Sequence, residues 1–228
     1  MIVHNKNILG YIPARSKSKG IKNKNILFFN NKPLFYHSID FAKKLKNVLP
    51  FVSTDSKKYL NLAIKYYPKQ INYIRPKKYS QDNSLIVSGL KHAIKWLEKN
   101  HNLKFEYIIL IQPTSPIRSH KYYNHLIDKF FKLKLSSLIT VKEVKEYPQK
   151  MINLKSKRKW KFLVKHNFQL EGRQAFKKYY IIDGNFYMFT KKFLLKTNSY
   201  FKENETFIEI NKQKTSIDID FISDLKKF

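Results

Sequence analysis

The chain alternates short apolar runs with longer segments of helical periodicity, and this rhythm restricts the fold more than any other feature. Ile8–Pro13, Val48–Ser53, Tyr107–Ile111 and Leu138–Val141 are brief apolar runs ending in polar loops, as buried strands do. Gln70–Ile74 reads as a further short strand. Between them, Pro33–Lys46, Lys57–Tyr67, Leu85–Lys99 and Tyr122–Leu133 carry apolar residues at helical spacing, for example Val87, Leu90, Ile94 and Leu97. Ser53-Thr54-Asp55-Ser56 supplies side-chain oxygens able to cap the helix that follows. Such alternation implies an α/β fold with three layers, a mostly parallel sheet with helices on both faces. Ligands of these sheets bind beyond the carboxyl ends of the strands. We expect a single domain over residues 1–228. An excursion at about 142–180 breaks the rhythm with Lys-rich and aromatic segments. Ile181–Phe189 and Phe207–Ile210 then return as strands, and Phe221–Phe228 closes as a helix.

Apolar residues make up 43% of the chain, enough for a real core, while the net charge is +30. So large a charge invites a nucleic-acid reading. The lysines, however, are spread along the whole chain and form no tail or stripe, and Lys, Asn, Ile, Phe and Tyr are abundant together while Gly numbers only 5. That is the signature of compositional drift, with lysines on a solvated surface, and a nucleic-acid partner is not expected. Cysteine is absent, which excludes disulfides, thiolate metal sites and thiol nucleophiles. No apolar run is long enough for a membrane span, so a membrane partner is not expected and the protein reads as soluble and cytoplasmic.

Against this lysine background the five arginines are informative, because a guanidinium offers a planar donor fork that an ammonium lacks. Four sit in separate polar motifs: Arg15 in Ala-Arg-Ser-Lys-Ser-Lys-Gly, Arg75 before Pro-Lys-Lys-Tyr-Ser-Gln-Asp-Asn-Ser, Arg118 in Gln-Pro-Thr-Ser-Pro-Ile-Arg, and Arg173 in Glu-Gly-Arg-Gln. The first motif opens directly off the first strand, and its cations, hydroxyls and glycine suit a polyphosphate. It is neither a P-loop nor a dinucleotide fingerprint. The loop Gln112–Arg118 groups an amide, two hydroxyls and a guanidinium, which suits a polyhydroxylated acid. In Ser216-Ile217-Asp218-Ile219-Asp220 an extended backbone projects Asp218 and Asp220 to one face and the isoleucines to the other. Two adjacent carboxylates in a chain with only 16 acidic residues suit a divalent cation, typically Mg²⁺ when phosphates share the coordination.

Taken in order, Pro13-Ala14-Arg15-x-x-Ser18-Lys19-Gly20, Lys24-Asn25, Val52-Ser53-Thr54-Asp55, Arg75-Pro76, Gln81-Asp82-Asn83-Ser84, Gln112-Pro113-Thr114-Ser115-Pro116-x-Arg118 and Ser216–Asp220 resemble the acylneuraminate cytidylyltransferases, the CMP-sialic acid synthetases. The resemblance covers nearly the whole chain. It implies a nucleotide-diphospho-sugar transferase-like fold and transfer of CMP from CTP to a nonulosonic acid, with Mg²⁺ as cofactor and a homodimer built on the excursion. By position, Arg15, Lys19 and Lys24 would hold the triphosphate. Asn25, Arg75 and Ser84 would contact the nucleoside. Gln112, Thr114, Ser115 and Arg173 would serve the sugar acid, and Asp218 and Asp220 the metal. Where many members carry Arg-x-Asn-Gly, this chain has Ile181-Ile182-Asp183-Gly184. Acceptors of the legionaminic, pseudaminic or 3-deoxy-manno-octulosonic type therefore stand beside the sialic acids.

Overall fold

The computed structural model describes residues 8–17, 21–144, 146–164, 178–213 and 217–225. Its centre is a six-stranded sheet. The strands are β1 (Ile8–Pro13), β4 (Val48–Ser53), β5 (Tyr107–Leu110), β6 (Ser137–Glu143), β9 (Tyr180–Thr190) and β10 (Phe207–Ile210), in the spatial order β10-β6-β9-β5-β1-β4. β1 pairs parallel with β4 and β5, and β10 with β6. β9 alone runs the other way, inserted between β5 and β6.

Neighbouring side chains of each central strand feed opposite layers, as the two-residue period requires. Ile8 and Ile12 of β1 join one core with the helices α1 (Leu34–Lys43), α2 (Lys57–Tyr66) and α4 (His120–Lys132). Leu9 and Tyr11 join the other core with α3 (Ile86–His101) and α5 (Lys191–Thr197). The three-layer α/β architecture expected from the alternation is therefore present. Fully buried side chains such as Phe35, Ile39, Leu90 and Ile108 each stabilise it by about 1.5–3 kcal/mol. Three helices begin on side-chain caps: Ser56 Oγ accepts from the Tyr59 amide at 3.3 Å, Ser119 Oγ from the Tyr122 amide at 3.4 Å, and Thr190 Oγ1 from the Phe193 amide at 3.0 Å.

The expected strand at Gln70–Ile74 is corrected to an extended loop with a single bridge, Ile74 to Thr54. The reason is local. The Gln70 side-chain amide accepts from the Val52 amide at 2.8 Å and donates to the Val52 carbonyl at 3.2 Å. One side chain thus satisfies the edge of β4 where a strand would otherwise pair.

Two small hairpins were not anticipated. β2 (Phe28–Phe29) and β3 (Lys32–Pro33) turn through Asn30 and Asn31, both at positive φ, which suits a type I′ turn. β7 (Ile152–Ser156) and β8 (Lys159–Phe162) form a separate ribbon inside the excursion, and its outer face exposes Ile152, Leu154 and Trp160. The final helix α6 is described over Ile222–Leu225.

Candidate active site

Because β9 runs against its neighbours, its first residues lie beside the carboxyl ends of β5 and β6. The loops after β1 and β5, the stretch Arg75–Ile86 leading into α3, and Asp218 and Asp220 surround a cavity of about 510 Å³ at this end of the sheet. Arg15, Lys24, Asn25, Arg75, Ser84, Gln112, Thr114, Asp218 and Asp220 all line this cavity. Ser115 does not: it is wholly buried behind the wall, its hydroxyl 3.5 Å from the Gly184 carbonyl. Lys19, Arg173 and Ser216 lie outside the described residues.

The loop after β1 is held by its neighbours. Asp55, beyond β4, accepts from the Ser16 amide at 2.8 Å and the Ser16 hydroxyl at 3.0 Å. Asn25 donates to the Arg15 carbonyl at 2.8 Å. Both side chains therefore fix the backbone that presents Arg15. Arg15 itself meets Asp82 at 2.9 Å, and Lys24 meets Asp220 at 2.9 Å. Ser84 ties its own loop, accepting from the Gln81 amide at 3.0 Å and donating to the Lys78 carbonyl at 2.9 Å.

Arg75 is 4% exposed, and its Nε and Nη2 have no hydrogen-bond partner among the described residues. A buried donor without an acceptor costs about 1–3 kcal/mol, and Arg75 carries two such nitrogens in the wall of the cavity. Arg118 has a different task. Its Nε donates to the Asn185 carbonyl at 2.8 Å and its Nη2 to the Gln112 carbonyl at 2.6 Å, closing the central loop against β9. Burial pushes its guanidinium down to about 10.

The carboxylate pair behaves as its spacing predicts on one side and more tightly on the other. Ile219 is fully buried and its amide donates to the Thr114 carbonyl at 2.8 Å, which docks the segment onto the central loop. Asp218 and Asp220 both reach the cavity. Asp218 opens to solvent along the cavity, yet the surrounding protein desolvates it enough to raise its pKa. The charge of Asp220 adds to the rise, while the Thr114 hydroxyl, Lys24 and Lys142 oppose it. Among the described residues no group of three or more His, Cys, Asp or Glu is arranged as a metal cage. Two hard carboxylates on the wall of a cation-lined polar cavity still fit Mg²⁺, which keeps most of its coordination for water and phosphate.

The unusual stretch of β9 is accommodated. Gly184 sits at φ 74° within β9, where the register against β6 shifts. A side chain there would lie 3.4 Å from Gln112 Oε1 and about as near Ser115. Asp183 is buried, accepting from Thr140 at 2.6 Å, from the Asn185 amide at 3.0 Å and from Asn211 at 2.5 Å. Ile181 is half exposed and pairs in register with Lys142. Asp82, Tyr79, Ser80, Gln81 and Ile86 also line the cavity. Asp82 was legible only as part of a motif; nothing in the sequence pointed to its contact with Arg15.

A cation-rich cavity with paired carboxylates, set at the carboxyl ends of a mostly parallel sheet, defines a nucleotidyltransferase. The chain belongs to the cytidylyltransferase family, whose model matches residues 9–227. It is 29% identical over 220 residues to the post-translational flagellin modification protein B of Campylobacter coli, covering 96% of this chain and 92% of that one. It is 28% identical over 216 residues to the CMP-N,N'-diacetyllegionaminic acid synthase of Legionella pneumophila, covering 93% and 90%. In fold it is similar to a CMP:2-keto-3-deoxy-manno-octonic acid synthetase solved in complex with CTP, with a TM-score of 0.68, 15% identity and coverage of 97% and 96%. No helix among the described residues is long and apolar enough to cross a membrane.

Proposed function

We propose that this enzyme transfers CMP from CTP to the anomeric hydroxyl of a nonulosonic acid, giving the CMP-sugar and pyrophosphate. The observation that carries this reading is the meeting, in one cavity, of residues as far apart in sequence as Arg15, Arg75, Gln112 and Asp218. The Legionella relative is named for an acid of this type.

In this reading the sugar's anomeric oxygen loses its proton and bonds to the α-phosphorus. The bond from that phosphorus to the bridging oxygen breaks, and its electrons leave with pyrophosphate. The protein's work is positioning and charge neutralisation. Arg15 and Lys24 take the triphosphate, with Lys19 as a third cation. Each of the first two now faces a carboxylate in a partly exposed pair (side-chain exposures 31% and 51% for Arg15–Asp82, 16% and 58% for Lys24–Asp220). Such pairs are worth about 0–1 kcal/mol, so a triphosphate displaces them at little cost. Asn25, Arg75 and Ser84 serve the nucleoside; Gln112, Thr114 and Arg173 serve the sugar acid, with Ser115 supporting their loop. Asp218 and Asp220 would hold Mg²⁺, which would supply charge stabilisation at the phosphate oxygens.

We place the reaction in the cytoplasm and assign the exposed apolar face of the β7–β8 ribbon to a homodimer contact. Trp160 is 51% exposed there, and Trp160→Lys should shift the molecular mass in solution from dimer to monomer. The function itself is tested by pyrophosphate release from CTP with Mg²⁺ across a panel of nonulosonic acids and 3-deoxy-manno-octulosonate. Release with at least one acid, and not without it, is the expected result. Salt-sensitive binding of random DNA with no release from any acid would reverse the reading.

A further inference from the structure

Gly89 stands in the interior of the 16-residue helix α3, where alanine is the better helix former. Its surroundings explain the choice. A Cβ at this position would lie 3.2 Å from Arg75 Cδ, 3.3 Å from the Tyr11 hydroxyl oxygen and 3.6 Å from Arg75 Nη1. Tyr11 comes from β1 on the far side, is wholly buried, and donates to Ser53 Oγ at 3.1 Å. The Arg75 backbone is fixed too, its amide donating to the Thr54 carbonyl at 2.8 Å. The guanidinium therefore lies at the cavity between a helix without a side chain and a tyrosine locked to the sheet. Among the described residues two of its buried nitrogens have no hydrogen-bond partner.

We propose that Gly89 and Tyr11 are positioning residues for base selection, holding Arg75 where its donors meet the edge of the nucleobase. This rests on the reading that CTP enters the cavity. A guanidinium donates and never accepts. Cytosine presents two adjacent acceptors, the O2 carbonyl and the unprotonated N3. Uracil presents O2 beside an N3–H, which is a donor. A donor held rigidly against that edge accepts the first base and repels the second, whereas a displaced arginine forfeits the distinction. A side chain at 89 has only one way to be relieved besides moving Tyr11: it pushes Arg75.

The test is calorimetric titration of the full-length protein with CTP and with UTP in the presence of Mg²⁺, which needs no sugar acid. Gly89→Ala should weaken CTP binding about tenfold, as loss of one charge-assisted hydrogen bond would, and narrow the CTP-over-UTP preference by a similar factor. Its unfolding temperature should change little, because the helix preference for alanine offsets the tight contacts of the new methyl. Tyr11→Phe alone, which removes the hydroxyl packed against Arg75, should also narrow the CTP-over-UTP preference. Unchanged affinities in Gly89→Ala would overturn the proposal, and so would an equal loss of both nucleotides together with a lower unfolding temperature. Arg75→Lys separates the layers: if it binds CTP with the wild-type preference over UTP, Arg75 does not read the base, and the inference falls while the proposed function stands. A wild-type protein that binds no CTP would sink both.

Discussion

The two ends of the central sheet carry cavities of opposite character. The one at the carboxyl ends holds about 510 Å³ and is ringed by arginine, lysine, asparagine and paired aspartates. The one at the other end is larger, about 1110 Å³, and its walls are Phe105, Tyr107, Phe130, Phe131, Leu135 and Leu195 with lysines at the rim. Size would choose the second; chemistry chooses the first. The large cavity gathers residues from helix ends and strand starts, where side chains serve packing, and its rim lysines belong to the dispersed positive surface. Lys191 there is already paired with Glu98. The small cavity gathers loops whose backbones are tied by side chains such as Asp55, Asn25 and Arg118, and it keeps an unsatisfied arginine. Preorganised, unspent polar groups mark a site better than volume does.

The comparison breaks first at Asp218. Asp218→Asn should lower kcat at least about a thousandfold while the circular dichroism spectrum stays that of the wild type. Its raised pKa has a second consequence. A carboxyl that is harder to ionise when folded favours its protonated form there. Its stabilising contribution is complete below the unfolded value and is lost as pH rises through the folded one. At neutral pH the ionised Asp218 therefore weighs against folding, and Asp218→Asn should unfold at no lower temperature than the wild type. Near-wild-type turnover in this variant would remove the metal assignment.

A smaller effect is expected at Lys24. Lys24→Ala takes away a phosphate cation and leaves Asp220 uncompensated, so kcat/KM should fall about a hundredfold in steady-state assays with CTP varied. The smallest effect belongs to the other end of the molecule. Leu195 is 53% exposed on the large cavity. Leu195→Ser should keep kcat/KM within about twofold and change stability by about 0.5 kcal/mol or less in urea titration. A loss there comparable to that of Lys24→Ala would show that the contrast between the cavities has been misread.

Much of the site was legible because it is written at strand ends. Arg15, Gln112 and Thr114 follow directly on apolar runs, and a parallel sheet sends such loops to one side. Asp218 and Asp220 were legible through the two-residue period of an extended segment. The Gln70 region misled because its side-chain amide does what a strand backbone does, and a pattern of apolar residues cannot distinguish the two. Ser115 was grouped with its neighbours in the motif, but its side chain turns into the wall, a choice made by the Gly184 backbone behind it.

The sequence by itself determined the layers, the cap of the helix after β4 and the polar loops, because periodicity, capping and chain punctuation act over a few residues. Tertiary structure alone decided what those loops meet. It set β9 antiparallel between β5 and β6, which brings Gly184 and the buried Asp183 to the site. It joined Lys24 to Asp220, 196 residues apart. It also placed the bare backbone of Gly89 against Arg75. These are contacts between distant segments, and their geometry follows from how whole layers pack, which no local run of residues contains.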